Sequence, residues 1–312
     1  MRLEDMKKII IALICLIIFS CTNEKISTGV GDFVFSADDK YIYFNFFNGI
    51  SSSIYRVDSS GNNVKILIPA INDISFYRLR FFNDNQNFVL IGGDPYSNKA
   101  GIFKSDLKTL SVKRLTGSES IITEAFPSRY SNSIIFCKSD TLAQNSPIAK
   151  ASNRGSDIYS LNLDNNQIIR ISKLDAYLLA NVSELNKDLF VVHYFDKDHG
   201  MYIFTRNEPS KLLKICAKNE SDETRNHYYD ILFSEKYNCF VFSNGYGLSL
   251  MDGKRYVKTI YNLPDGKISS FCLFNTCPRV LFTVDGDKNF YSINFDGTDI
   301  KTIKINLPKR KD

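Results

Sequence analysis

The chain repeats itself six times, and that repeat limits what it can fold into. A polar residue followed by apolar and aromatic ones occurs as KYIYF at Lys40, NFVLI at Asn87, NSIIF at Asn132, DLFVV at Asp188, NCFVF at Asn238 and PRVLF at Pro278. A second pattern follows each of these: SIYRVD, GIFKSD, DIYSLN, GMYIFT, GLSLMD and NFYSIN. A third closes the unit with apolar residues around a mostly basic or polar pair: VKIL, VKRL, IIRI, LLKI, VKTI and IKTI. The second and third begin 10, 10, 10, 11, 9 and 10 residues apart, a constancy that predicts one hairpin built six times. Turn sequences such as DSSGNN, LDNNQ and FDGTD separate them, and their Gly, Asn and Asp tolerate the positive φ of tight hairpins. One more apolar stretch precedes each first pattern, as in FVF, YRLRFF, ITEAF, ANV, YDILF and SSFCLF.

Four strands per unit, in six units of about 47 residues, predict an all-β chain: a six-bladed β-propeller with four antiparallel strands per blade. A sandwich or a β-helix would not need the four-strand beat. The expected blades run roughly 30–68, 74–116, 121–172, 178–216, 228–261 and 267–306, within a propeller over 30–308 that ends in a basic tail at 309–312. Composition agrees, since 24 Phe, 17 Tyr and no Trp, with abundant Asn, Ser, Ile and Val, favour strands and turns over helices. The formal charge of +5 is mild and much of it lies in the tail PKRKD, so no nucleic-acid surface is indicated. Beyond Cys15 and Cys21 there are Cys137, Cys216, Cys239, Cys272 and Cys277, an odd number that leaves at least one unpaired or partnered elsewhere. Several sit in apolar runs such as NCFVF and SFCLF, where a buried thiol behaves as a small hydrophobe, and the sequence leaves any pairing among the five open.

The segment KKIIIALICLIIFSCTNEK, Lys7 to Lys25, stands apart from the repeat. Its apolar run, Ile9 to Phe19, is eleven residues, whereas a helix crossing a bilayer core takes about 20. Two lysines before the run and Ser20 after it give the charged, apolar, small-residue order of a cleaved signal peptide. The sequence Ile18-Phe19-Ser20-Cys21 resembles the bacterial lipobox, from whose commonest form the bulky Phe19 departs. That resemblance implies a lipoprotein signal peptide over 1–20, lipidation of Cys21 and a short tether over 21–29. The expectation is an exported lipoprotein of the bacterial cell envelope, on the periplasmic face or the cell surface, that touches the membrane through its lipid anchor only. A plain signal peptide with an incidental Cys21 is the alternative.

Stretches such as FVFSADDKYIYF and DIYSLNLDNNQIIRIS resemble the WD-like repeats of the TolB-type propellers, whose usual form is Ser-Pro-Asp-Gly-Lys, an apolar strand, then Asp-Ile-Tyr and an Asp-Gly turn. The likeness covers roughly 30–306, is strongest in the first blade at Ser36 to Lys40, and is weaker in the fourth. No additional α/β domain before the propeller is expected here, so the partners of family members that have one are not carried over.

In such a fold the loops between second and third strands share a face with the links between blades, and long loops on a rigid scaffold are where binding resides. Lys138 to Ser156 is the longest of these loops, GGDPYSNKAG the next, and AKNESDETRNHY is a long link on the same face. Asp140, Asn145, Lys150, Arg154 and His227 are the candidate binding residues there, with solvated insertions as the plainer reading. On the first strands, Asp32, Glu124 and Asp230 hold one position of the repeat in blades 1, 3 and 5, with Arg78 and Arg80 close by. Three acids around an axis suit a structural cation, while two arginines suit simple neutralisation in a polar channel; no other cofactor is expected. DKDHG at Asp196 and DGDKN at Asp285 read as ordinary turns, since neither continues into a complete calcium loop. No Gly-x-Ser-x-Gly, His-Glu-x-x-His or phosphate-binding Gly-rich motif occurs, so no catalytic residue is assigned. The leading expectation is a monomeric, non-enzymatic binding or scaffold module for an envelope protein, peptide or glycan. The alternatives are a carbohydrate-active or peptide-cleaving enzyme using Glu124 and Asp230 as acid and base, and a structural member of an envelope complex.

Overall fold

The computed structural model describes residues 28–72, 74–94, 99–117, 121–143, 152–195, 200–215 and 230–307. Cys21, Asn145, Lys150, Cys216 and His227 lie outside the described residues.

Each repeat forms one four-stranded antiparallel sheet of consecutive strands. Blade 1 is β1 (Gly29–Phe35), β2 (Tyr41–Phe47), β3 (Ser52–Asp58) and β4 (Lys65–Ile68). Blade 2 is β5 (Ser75–Phe81), β6 (Asn87–Gly93), β7 (Ala100–Asp106) and β8 (Val112–Arg114). Blade 3 is β9 (Ile121–Pro127), β10 (Ser133–Ala143), β11 (Ser152–Asn162) and β12 (Ile168–Arg170), and blade 4 is β13 (Leu178–Glu184), β14 (Leu189–Phe195), β15 (Gly200–Thr205) and β16 (Leu213–Lys214). Blade 5 is β17 (Asp230–Ser234), β18 (Cys239–Ser243), β19 (Gly247–Asp252) and β20 (Val257–Asn262), and blade 6 is β21 (Ile268–Leu273), β22 (Arg279–Val284), β23 (Phe290–Asn294) and β24 (Lys301–Ile303). The fold is therefore the six-bladed propeller that the repeat predicts. No helix among the described residues is long and apolar enough to cross a membrane.

The innermost strands β1, β5, β9, β13, β17 and β21 neighbour one another in that order, and β21 meets β1 to close the ring. A blade is covered on both faces by its neighbours, which is why second strands read as continuous apolar runs such as YIYFNF and NFVLI rather than alternating ones. Six apolar clusters fill the six seams, one between each pair of adjacent blades. The closing seam is largely aromatic: Phe290 of blade 6 lies 5.0 Å from Phe33 and 5.5 Å from Phe44 of blade 1, and Phe274 lies 4.0 Å from Phe35.

The turns between third and fourth strands are held by their first side chain. Asp58 accepts from the backbone N–H groups of Ser60 and Asn62, Asp106 from those of Lys108 and Thr109, and Asp252 from those of Lys254 and Tyr256. Asn63, Asn166 and Asp299 take the positive φ expected of such turns, but so do Leu110 and Arg255, which sequence preference alone would not choose.

One expected loop is mostly strand. β10 and β11 continue their ladder past the blade through Ser139↔Ser156, Thr141↔Arg154 and Ala143↔Ser152, so Asp140 and Arg154 lie on a projecting hairpin. β9 reaches only as far as Ser139, β12 pairs only with Tyr159 to Leu161, and Ser156 bridges to Ala176, so among the described residues Thr141 to Ala143 and Ser152 to Arg154 pair only with each other. Likewise GGDPYSNKAG belongs to β6 through Gly93 and to β7 from Ala100.

Candidate functional site

Side chains two apart on a strand share a face, and on the six inner strands this stacks two rings about the axis. The registers Phe33↔Phe44, Leu79↔Leu90, Ala125↔Phe136, Ile231↔Phe242 and Phe271↔Phe282 set the strands level. These residues, with Val182, are buried in the seams. One residue earlier stand Asp32, Arg78, Glu124, Asn181, Asp230 and Ser270, a polar ring. One residue later stand Val34, Arg80, Phe126, Ser183, Leu232 and Cys272, a mostly apolar ring on the same face as the first.

The polar ring is built from irregular backbone. Register shifts fall at this level in β1, β5, β9, β13 and β21, and Arg78 and Asn181 both sit at φ 51. Bulges of this kind redirect side chains and recur beside functional sites. In β1 the cause is visible. Asn45 donates through Nδ2 to Ser52 at 3.2 Å and accepts the Asp32 N–H at 2.7 Å, lying over Gly31, where a Cβ would come within 2.4 Å of its amide.

Arg80 organises the charges. Its guanidinium donates to the Asp32 carboxylate and at 2.8 Å to the Leu79 carbonyl, and stands 3.5 Å from Glu124 Oε1. Burial alone would lower its pKa, but Asp32 and Glu124 outweigh that and hold it above the ordinary arginine value. Arg78 reaches Asp32 only at 4.0 Å. Asp230 accepts from Asn181 Nδ2 at 2.7 Å. Glu124, 3% exposed, accepts no hydrogen bond at Oε1 among the described residues. Burial raises its pKa, with the two arginines pulling the other way.

The structure thus gathers Asp32, Arg78, Arg80, Glu124 and Asp230 at the axis. It adds Asn181 and Ser270, which the sequence reading did not single out. Ser270 is exactly equivalent by residue count, but carries no charge to attract notice. Asn181 is hidden by a shorter turn: Glu184 pairs with Phe190, whereas Phe35 pairs with Ile42, so a fixed count lands on Ala180. Arg78 occupies the ring position itself in blade 2. Among the described residues no three His, Cys, Asp or Glu side chains lie close enough together to hold a metal ion. The four described cysteines are free, with Cys137, Cys239 and Cys272 buried.

Beyond the polar ring lies a cavity of about 300 Å³ that opens among the turns joining first to second strands. Val34, Phe126, Leu232 and Cys272 form its wall, Arg80, Glu124 and Asn181 its floor, and Asn83, Asn85, Arg129 and Asn275 its rim. Burial pushes the Cys272 thiol well above its ordinary pKa, which disfavours the reactive thiolate. Arg129 of blade 3 reaches past blade 4 to Glu235 of blade 5 at 3.1 Å beside this mouth. A smaller cavity of about 60 Å³, lined by Asp32, Arg78, Asp230 and Ser270, lies on the other side of Arg80 and Asn181. The main cavity therefore opens at the tight-turn end, opposite the face of the long loops. His193, paired in register with Ala180 on β13, is buried within its blade.

No protein-family model matches the chain, and no curated protein matches it in sequence. Solved structures do match in fold. A TolB from Acinetobacter baumannii superposes with a TM-score of 0.50 at 17% identity, over 77% of this chain and 55% of that one, so the chain matches only about half its length. A gluconolactonase from Xanthomonas campestris gives 0.60 at 13% identity, over 83% of this chain and 84% of that one. An oligogalacturonate lyase in complex with manganese gives 0.56 at 10% identity, over 88% and 77%. At these identities the likeness is one of fold.

Proposed function

We propose that the chain is a cell-envelope propeller, tethered through a lipid on Cys21, that binds a protein, peptide or glycan segment in its axial cavity without chemically changing it. One observation carries this reading: an apolar wall leads to a floor with a few converging polar groups, the usual form of a recognition pocket. The floor acids are engaged by Arg80 and Asn181 rather than set out as an acid and a free base. Placing the ligand here moves it away from Asp140 and Arg154 on the projecting hairpin. A fold shared with a TolB, a lactonase and a lyase is compatible with either binding or catalysis.

The test is photo-crosslinking in native envelopes, with the crosslinker at Asn83 on the rim or at Asp94 on the opposite face. Capture of a defined partner from position 83 is the expected result. Capture from position 94 alone would put the site back on the loops, and capture from neither would sink the binding reading. The enzymatic alternative draws on the raised Glu124 carboxyl. It would be favoured by turnover of a peptide or polysaccharide that Glu124→Gln abolishes.

A further inference from the structure

Among the described residues the axial ring is short of one positive charge. Asp32, Glu124 and Asp230 supply three carboxylates, and Arg78 and Arg80 two guanidinium groups. The shortfall is localised, because Asp32 is bonded to Arg80 and Asp230 to Asn181, while Glu124 Oε1 meets Arg80 only as an ion pair at 3.5 Å and accepts no hydrogen bond among the described residues. Glu124 lies at the foot of a sleeve whose wall includes Val34, Phe126 and Leu232. A buried acceptor without a donor costs about 1–3 kcal/mol unless something fills it, and an apolar sleeve above it suits a chain of methylenes. An aromatic face near a cation adds attraction.

We infer that the cavity takes a linear alkylammonium group, its nitrogen on the Glu124 carboxylate and its methylene stem along Val34, Phe126 and Leu232. This rests on the axial cavity being the binding site and names the ligand chemistry that it accepts. A lysyl side chain and a free polyamine share that chemistry. Because the ammonium pairs with ionised Glu124, its binding strengthens as pH rises until that carboxyl is fully ionised. The groups facing Glu124 are Arg78 and Arg80 on β5, Asp32 on β1, Asp230 on β17 and the Cys137 thiol on β10.

Calorimetric titration of the wild-type protein with n-pentylamine and with n-pentanol is the first test. The amine is expected to bind at least tenfold more tightly, with affinity rising as pH is raised above the ordinary carboxyl value, by roughly the fraction of Glu124 ionised. Glu124→Gln should remove the amine's advantage while melting cooperatively. Should that variant not fold, the wild-type amine-to-alcohol ratio and its pH profile still decide. Nα-acetyl-lysine methylamide and putrescine then distinguish the two sources by which binds more tightly. Equal binding of amine and alcohol, no saturable binding, or an unchanged amine affinity in a folded Glu124→Gln protein would each overturn the inference. A partner crosslinked from Asn83 that pentylamine does not displace would overturn it too, while leaving the binding function intact.

Discussion

Glu124 illustrates how a single buried acid couples the axis to pH. Its pKa is raised in the folded protein, so between the ordinary value near 4.5 and the raised one the native state holds a proton that the unfolded chain has lost. Stability from this group is complete at low pH and declines as pH rises through that window. The melting temperature of the wild type relative to Glu124→Gln should therefore fall from about pH 4.5 upward; a flat difference across pH 4 to 8 would contradict the electrostatic picture. Gly31 makes a different demand. An alanine there would press its Cβ against the amide of Asn45, which is fixed at both ends by Asp32 and Ser52. Displacing it should cost about 1–3 kcal/mol in urea unfolding and disturb Asp32 with it. At this scale the charged members of the ring were legible because charge is conspicuous on a buried strand. Asn181 was not, since a turn one residue shorter shifts it out of phase, and nothing in composition reports a turn's length.

Among the elements, the outermost strand of each blade faces the problem of an unpaired edge. These strands are short, two to six residues, and exposed Ile66, Ile169 and Leu213 each stand beside a lysine or arginine. Edge lysines discourage pairing with another chain, because each addition would bury a charge. β20 is the longest, and its Lys258 also reaches the Asp296 carbonyl of blade 6 at 3.0 Å. Lys258→Val should change unfolding free energy by less than about 1 kcal/mol, yet increase light scattering on incubation at high concentration. Unchanged scattering would argue that shortness alone protects these edges. The same basic pair that guards the edge made the third pattern recognisable in the sequence. The projecting part of β10 and β11 had no such mark: among the described residues Thr141 to Ala143 and Ser152 to Arg154 pair only with each other, and such a ribbon needs no apolar alternation, so these residues read as a loop.

Among the described residues no strand is shared between the first and last blades, so closure of the ring depends on what crosses the seam between blades 6 and 1. Aromatic and polar contacts both cross it. Phe290 wedges against Phe33 and Phe44, and buried Asp39, at φ 55, accepts from the backbone and side chain of both Asn275 and Thr276 at 2.5–3.1 Å. Gly61 adds a close approach, since at φ 91 any Cβ would meet the Lys304 carbonyl at 2.1 Å. By contrast, the described seam between blades 4 and 5 holds a small cluster, Val191, Met201, Ile215, Ile231, Phe242 and Met251, with two flexible methionines in it. Among the described residues the closing seam holds the more aromatic contacts of the two. Native-state hydrogen exchange should show amides of β14 and β17 opening at lower free energy than those of β1 and β21. Phe290→Ala should cost about 3–5 kcal/mol by leaving a cavity among aromatic rings. Asp39→Ala should cost about 3 kcal/mol by stranding donors that now bond to a charge. Either change should reverse the exchange order, making β1 and β21 the first to open. If β21 already exchanges before β17 in the wild type, the aromatic wedge and the Asp39 clamp do not hold the ring closed.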